Sequence, residues 1–261
     1  MIKAIFFDLD DTLLWDERSI QLAFQGTCDI AYEKYGVDPE LLEQKVRKNA
    51  RELYESYDVY PFTKMIGINP FEGLWGTFPD DGGDFHKLKD IAPVYQKEAW
   101  IKGLLDAGID NPAFGEELAK AFPDIRKKNP VLYEDSLRVL DALKDKYELL
   151  LLTNGSPNLQ NIKLDITPEL RPYFKEIVIS GAFGRGKPDP SIFKHALELL
   201  SVDPEEVLMV GDNLNTDIIG ANRTGIRSVW INRKGMIAKE VTPTYEIKKL
   251  EELLDLVNRI D

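Results

Sequence analysis

Short apolar runs punctuate the chain at wide intervals. The first covers residues 2–7, and comparable runs follow at 148–152, 177–179, 207–210 and 227–231. A nearly continuous apolar run of this length is expected of a strand covered on both faces, because neither face points to water. Between these runs, residues 137–144, 192–200, 216–224 and 248–257 follow a helical pattern. Strand alternating with helix predicts a parallel sheet with helices on both faces, a doubly wound, Rossmann-like α/β core.

Residues 16–131 read differently. Helical patterns at 19–35, 39–54, 93–107 and 112–122 begin near Ser or Pro, and no buried strand interrupts them. The expected organisation is an α/β core of residues 1–15 and 132–261, with 16–131 as an inserted all-helical domain. Within the insertion, residues 57–90 carry Pro61, Pro70, Pro79, Gly82 and Gly83 among Tyr57, Tyr60, Phe62, Lys64, Phe71 and Trp75. This piece is expected as a partly ordered loop or a short-helix excursion. Its aromatic residues either form a lid over a substrate or a hydrophobic cluster that packs the extra loop down.

Composition narrows the function classes. With 33 Lys and Arg against 45 Asp and Glu, the net charge is −12. That disfavours nucleic acid and anionic membranes as partners, since both call for a basic face. An anionic small molecule stays possible, because backbone amides and a few local cations can outweigh a distant surface. The single cysteine, Cys28, rules out an intrachain disulfide and reads as a small buried hydrophobe. The N-terminal run turns acidic too soon for a signal peptide, and no run is long enough to span a bilayer, so a cytoplasmic protein is expected.

Candidate chemistry clusters after the strands. Asp8-Leu9-Asp10-Asp11-Thr12 follows the first run. Side chains two apart on an extended chain point the same way, so Asp8 and Asp10 converge. Two adjacent carboxylates repel unless one is protonated or a hard cation such as Mg²⁺ lies between them. Alone, the segment is also an ordinary acidic turn. Thr153-Asn154-Gly155-Ser156 follows the second run and offers several N–H and O–H donors, or simply a helix cap. In Gly186-Lys187-Pro188-Asp189-Pro190, Pro188 stiffens the backbone at Lys187, and Asp189 with Pro190 forms a helix start. Gly211-Asp212-Asn213-Leu214-Asn215-Thr216-Asp217 adds two carboxylates at another strand end, or an Asx turn. In a doubly wound sheet, ligands bind outside the carboxyl ends of the strands, and Asp8 faces Asp212 if the first and fourth core strands are neighbours.

Taken in order, DxDxT, a strand-end Thr, a Lys before Pro and GDxxxxD resemble the signature of the haloacid dehalogenase superfamily, across the whole chain. The insertion resembles the helical cap of that superfamily's C1, subfamily IA-like members. The resemblance implies a Mg²⁺-dependent phosphatase of small phosphate monoesters. Asp8 would be the nucleophile that forms an aspartyl-phosphate. Asp10 would be the acid and then the base, and its carbonyl would touch the metal. Thr12 would brace the loop. Thr153 and the amide of Asn154 would hold phosphate oxygens, and Lys187 would bridge Asp8 and the phosphate. Asp8, Asp10 and Asp212 would hold Mg²⁺, and Asp217 would act through water or orient Lys187. Because Asp10 is present, carbon–halogen cleavage is disfavoured. A sugar-phosphate mutase uses the same set, and a phospholigand-binding protein without turnover is a further alternative. The expected partner is a small phosphorylated metabolite, and the expected assembly a monomer or homodimer. Arg18, near the exit of the first motif, reads as a surface residue or a second contact for an anion.

Overall fold

A computed structural model describes residues 1–260. The chain forms two compact units. Among the described residues, one comprises 1–15, 131–155 and 167–260, and the other 16–130 and 156–166.

The first unit is built on six parallel strands: β1 (Ala4–Phe7), β2 (Glu148–Thr153), β3 (Glu176–Ile179), β4 (Val207–Gly211), β5 (Arg227–Ile231) and β6 (Tyr245–Ile247), in the order β3-β2-β1-β4-β5-β6. Both faces are buried, which explains the unbroken apolar runs. Ala4 and Phe6 pack with Leu150, Leu152, Val207 and Met209 against Ile192, Phe193 and Ala196 of the helix Pro190–Leu200. Ile5, Phe7, Leu149, Leu151, Leu208 and Val210 alternate with them and are also buried. The five strands expected from the pattern are all present. β6 is not announced by the pattern, because Glu246 interrupts the apolar run in its Tyr-Glu-Ile.

β1 sits between β2 and β4, with Phe7 level with Leu151 on one side and Val210 on the other. The strand order reverses at β1, so its carboxyl end lies at a topological switch point.

The second unit is all-helical. Its long members are Asp16–Tyr35, Pro39–Ser56, Phe85–Asp106 and Pro112–Lys128. Phe24, Trp100 and Phe122 meet at its centre, with ring centroids 4.8 to 5.9 Å apart. A Cβ on Gly103 would come within 2.9 Å of the Val46 Cα, so only glycine allows that close helix approach. The third helix starts eight residues earlier than expected, leaving Pro93 inside it rather than at its first turn. Proline favours the first turn of a helix, but Phe85, Leu88 and Ala92 are buried and extend the helix upstream of it.

Residues 57–90 are ordered. Short helices Tyr60–Ile66 and Pro70–Gly73 lead into a turn, with Trp75 and Phe78 buried and Tyr57, Tyr60, Phe62 and Phe71 packed on the central cluster. This is the hydrophobic-cluster reading, and the cluster is the unit's own core rather than a satellite. Residues 156–166, which the sequence places with the α/β core, cluster with the helical unit instead. Arg18 stays at the surface, bonded to Gln21 one turn on. Cys28 is buried, and burial raises its thiol above the ordinary range. Among the described residues no helix is long and apolar enough to cross a membrane.

Candidate active site

The candidate residues of the first unit meet where β1, β2 and β4 end. Asp8 follows β1 directly, and its N–H donates to Val210 O of β4 at 2.9 Å. Leu9 O then accepts from both Leu13 N and Leu14 N at 2.9 Å, folding the following residues into a tight loop. Within that loop Thr12 is buried. Its hydroxyl donates to Asp8 Oδ2 at 3.2 Å and accepts from the Asp212 N–H at 3.1 Å, so one side chain ties two strand ends together. Asp10 is half-buried and pairs with Leu14 across the loop.

Lys187 is the centre of the arrangement. Its Nζ donates to Asp8 Oδ1 and to Leu152 O, both at 2.7 Å, and lies 2.7 Å from Asp217 Oδ1. Its backbone is held as firmly. The Asn154 side chain donates to Lys187 O at 3.0 Å and accepts from Lys187 N at 2.8 Å. This use of Asn154 escapes sequence reasoning, because nothing in the chain order pairs residues 154 and 187. The Lys187–Pro188 peptide is cis. Asp189 Oδ1 accepts from Ser191 N at 2.9 Å, as expected of a helix cap. Thr153 is buried at the end of β2, next to Leu152. Gly155 N donates to Ser180 Oγ at 2.8 Å, a partner the sequence did not suggest.

Asp217 sits where residues Leu214–Ile218 wind as a π-helix, an insertion that often marks functional segments. Its Oδ2 accepts from Asn213 N at 3.1 Å. The turn requires a glycine beneath it: a Cβ on Gly211 would lie 2.3 Å from Asp217 Oδ2. Trp230 Nε1, also unforeseen, donates to Asp212 O at 2.8 Å and anchors that strand end.

Carboxylate oxygens of Asp8, Asp212 and Asp217 lie within 4.8 Å of one another. Three carboxylates face one lysine, which leaves a deficit of positive charge. Burial pushes the Asp212 carboxyl up to about 9, with Asp8 and Asp217 adding to the rise. Burial pushes Asp8 up to about 6, against the pull of Lys187. Burial alone would lower Lys187, but Asp217 and Asp8 outweigh it and hold the ammonium above its ordinary range. An all-oxygen donor set with excess negative charge suits a hard divalent cation such as Mg²⁺, so the residues present fit the expected metal.

The haloacid dehalogenase-like hydrolase family matches residues 2–225. A phosphoserine phosphatase of Thermus thermophilus is 34% identical over 254 residues, covering 97% of this chain and 98% of that protein. An N-acylneuraminate-9-phosphatase of Mus musculus is 29% identical over 266 residues, covering 100% of this chain and 95% of that one. The fold is similar to that of the solved HAD-hydrolase YfnB of Bacillus subtilis, with a TM-score of 0.68 at 22% identity, covering 98% and 99% of the two chains. The motifs that gather around Lys187 all lie within the matched span. The chain belongs to the haloacid dehalogenase-like hydrolases, and its end-to-end similarity to two phosphatases marks it as a phosphoric monoester hydrolase within that family.

Proposed function

We propose that the protein is a Mg²⁺-dependent phosphatase of small-molecule phosphate monoesters, acting through an aspartyl-phosphate on Asp8. The observation that carries this reading is the position of Lys187 Nζ, 2.7 Å from both Asp8 Oδ1 and Asp217 Oδ1, with Asp212 in the same carboxylate group.

Asp8 is buried, held from two sides and aimed from a strand end, as a nucleophile must be. An Asp8 oxygen attacks phosphorus, and the ester oxygen leaves with a proton from Asp10. Water then attacks the phosphoryl group on Asp8, giving its proton to Asp10 and releasing phosphate. Lys187 offsets the repulsion between an anionic nucleophile and an anionic substrate. Thr153 and the Asn154 N–H are assigned to the phosphate oxygens, while the Asn154 side chain keeps Lys187 in place. Asp8, the Asp10 carbonyl and Asp212 would hold Mg²⁺, and Asp217 orients Lys187. When bound, the cation supplies the charge neutralisation that phosphoryl transfer chiefly needs. The helical unit is assigned the role of cap, selecting the leaving group. The two relatives are named for phosphoserine and for N-acylneuraminate 9-phosphate, which supports a small metabolite as substrate.

The test is phosphate release from p-nitrophenyl phosphate and a panel of phosphorylated metabolites, with Mg²⁺ or EDTA. Turnover should require the metal and fall at least about a thousandfold in Asp8→Asn. Metal-independent turnover, or full activity in Asp8→Asn, would overturn the reading. Phosphate that migrates within a sugar phosphate faster than it is released would make the protein a mutase. Tight retention of a phosphorylated ligand with no turnover would make it a binding protein.

A further inference from the structure

The loop that carries Asp8, Asp10 and Thr12 is gripped where it ends. Trp15 N donates to Val131 O at 2.8 Å, and Tyr133 N donates to Leu13 O at 3.2 Å. Ser136 Oγ donates to that same carbonyl at 2.9 Å. The Trp15 and Tyr133 rings stack, 5.3 Å apart and 13° from parallel.

Arg233, two residues beyond β5, lies on this structure. Its guanidinium carbon is 3.7 Å from the centroid of the Tyr133 ring, a face-on contact that fixes the plane of the group. From that plane Nη2 reaches Asp135 Oδ1 at 3.3 Å and Thr12 O at 3.4 Å. Asp135 is itself fixed, since its Oδ2 accepts from Leu250 N at 2.8 Å. Arg233 also shares the wall of a small cleft with Asp11, Tyr133 and Asp212.

The connection to the chemistry runs through one residue. The carbonyl of Thr12 meets Arg233, and its hydroxyl meets Asp8 and the Asp212 N–H. A shift of the Thr12 peptide therefore moves the hydroxyl that sets the spacing of the nucleophile and a metal-binding carboxylate. The two bonds from Nη2 are long, so neither is strong on its own. What the arrangement provides is direction: an aromatic platform, a planar fork and an anchored carboxylate all aimed at one peptide group.

We propose that Arg233, held by its stack on Tyr133 and its bonds to Thr12 O and Asp135, is a positioning residue that sets the Asp8–Thr12 loop for catalysis and metal binding. This rests on the phosphatase reading above, and it adds a residue outside the four motifs.

The experiment compares wild type with Arg233→Met, Arg233→Lys and Tyr133→Leu, all assayed well below their unfolding temperatures. Replacing a supporting partner of a metal site costs about 10- to 100-fold in affinity or activity, so Arg233→Met should lower kcat by about tenfold or more. KM for p-nitrophenyl phosphate should stay within about twofold, because the residue does not touch substrate. Mn²⁺ binding, read by electron paramagnetic resonance without substrate, should weaken by about tenfold. Arg233→Lys keeps the charge but loses the fork and should fall between the two. Tyr133→Leu removes the platform and should reproduce the loss, and it decides the matter if Arg233→Met does not fold. Wild-type kcat and wild-type Mn²⁺ affinity in the folded variants, with only the melting temperature altered, would overturn the proposal. An inactive Asp8→Asn beside a fully active Arg233→Met would sink this proposal alone, whereas a fully active Asp8→Asn would sink the phosphatase reading.

Discussion

Lys163→Met should destabilise the protein by about 3 kcal/mol, at the low end of the roughly 3–5 kcal/mol for breaking a buried ion pair. Lys163 is fully buried in the helical unit, on the helix Pro157–Asp165. Its Nζ is 2.7 Å from Glu72 Oε1 and 3.8 Å from Asp16 Oδ1. Asp16 also pairs with Arg126, whose guanidinium lies 4.9 Å from the Trp75 ring. Methionine matches the stem of lysine in length, so the packing loss is small and the loss of the charge dominates. Neither acid is left bare: Glu72 Oε2 still accepts from Asn69 N at 2.9 Å, and Asp16 keeps Arg126. That is why the low end applies. At about 2–4 °C per kcal/mol for a chain of this size, the melting temperature should drop by about 6–12 °C. Urea denaturation followed by circular dichroism would measure the loss, and a cycle with Glu72→Gln would isolate the pair. The double variant should lose at least about 1 kcal/mol less than the sum of the single losses. Burial would raise Asp16, but Lys163 and Arg126 outweigh it and hold its carboxyl below the ordinary value. A depressed carboxyl contributes stability above about pH 4 that is lost on acidification, so Lys163→Met should also flatten the acid limb. A loss under about 1 kcal/mol, or strict additivity in the cycle, would refute the view that this network holds the helix to its unit.

The remaining predictions concern the carboxylate cluster around Lys187. Asp8 and Asp212 are raised to about 6 and about 9, so between about pH 4 and 9 the native state binds more protons than the unfolded chain. The metal-free protein should therefore lose stability as pH rises through that window, and saturating Mg²⁺ should remove the slope. Melting curves in EDTA and in Mg²⁺ from pH 5 to 9 would check this, and a flat EDTA profile would count against it. Gly211→Ala puts a Cβ where Asp217 Oδ2 now lies, 2.3 Å away, and should lower kcat by about tenfold or more as Asp217 is pushed from Lys187. An alanine variant with wild-type kcat would show that the contact between Asp217 and Lys187 is dispensable.

The sequence was readable where local signals and the fold agree. The five apolar runs are strands because both faces of the sheet are covered, and Asp189 caps its helix because Pro190 follows it. Asp8 and Asp212 could be placed together because a doubly wound sheet brings its strand ends to one edge, whereas Lys187 and Asp217 are placed beside them only by the resemblance of the motifs. The signals failed where a residue's partner is remote in the chain. Pro93 carries the mark of a helix start, yet buried residues on its upstream side decide the matter. Nothing in the chain order pairs Asn154 with residue 187, yet its side chain is committed to the backbone of Lys187.

Residues 156–166 show most clearly what a linear reading misses. They follow the Thr153-Asn154 segment directly, and chain order alone assigns them to the α/β core. Their attachments lie elsewhere. Ser156 Oγ donates to Asp80 Oδ2 at 2.5 Å, and Asn158 N donates to Asp80 Oδ1 at 2.7 Å, so an acid from the 57–90 excursion caps the helix Pro157–Asp165. Lys163 at its far end is held by Glu72, from the same excursion. The extra length of the insertion therefore has a structural use: with Asp80 and Glu72 it supplies two of the acids that hold this helix. No periodicity announces this, because Glu72 and the Asp80-Asp81 pair stand among Gly, Pro and aromatic residues. The chain passes from one unit to the other between Gly155 and Ser156, one residue after Asn154 grips Lys187.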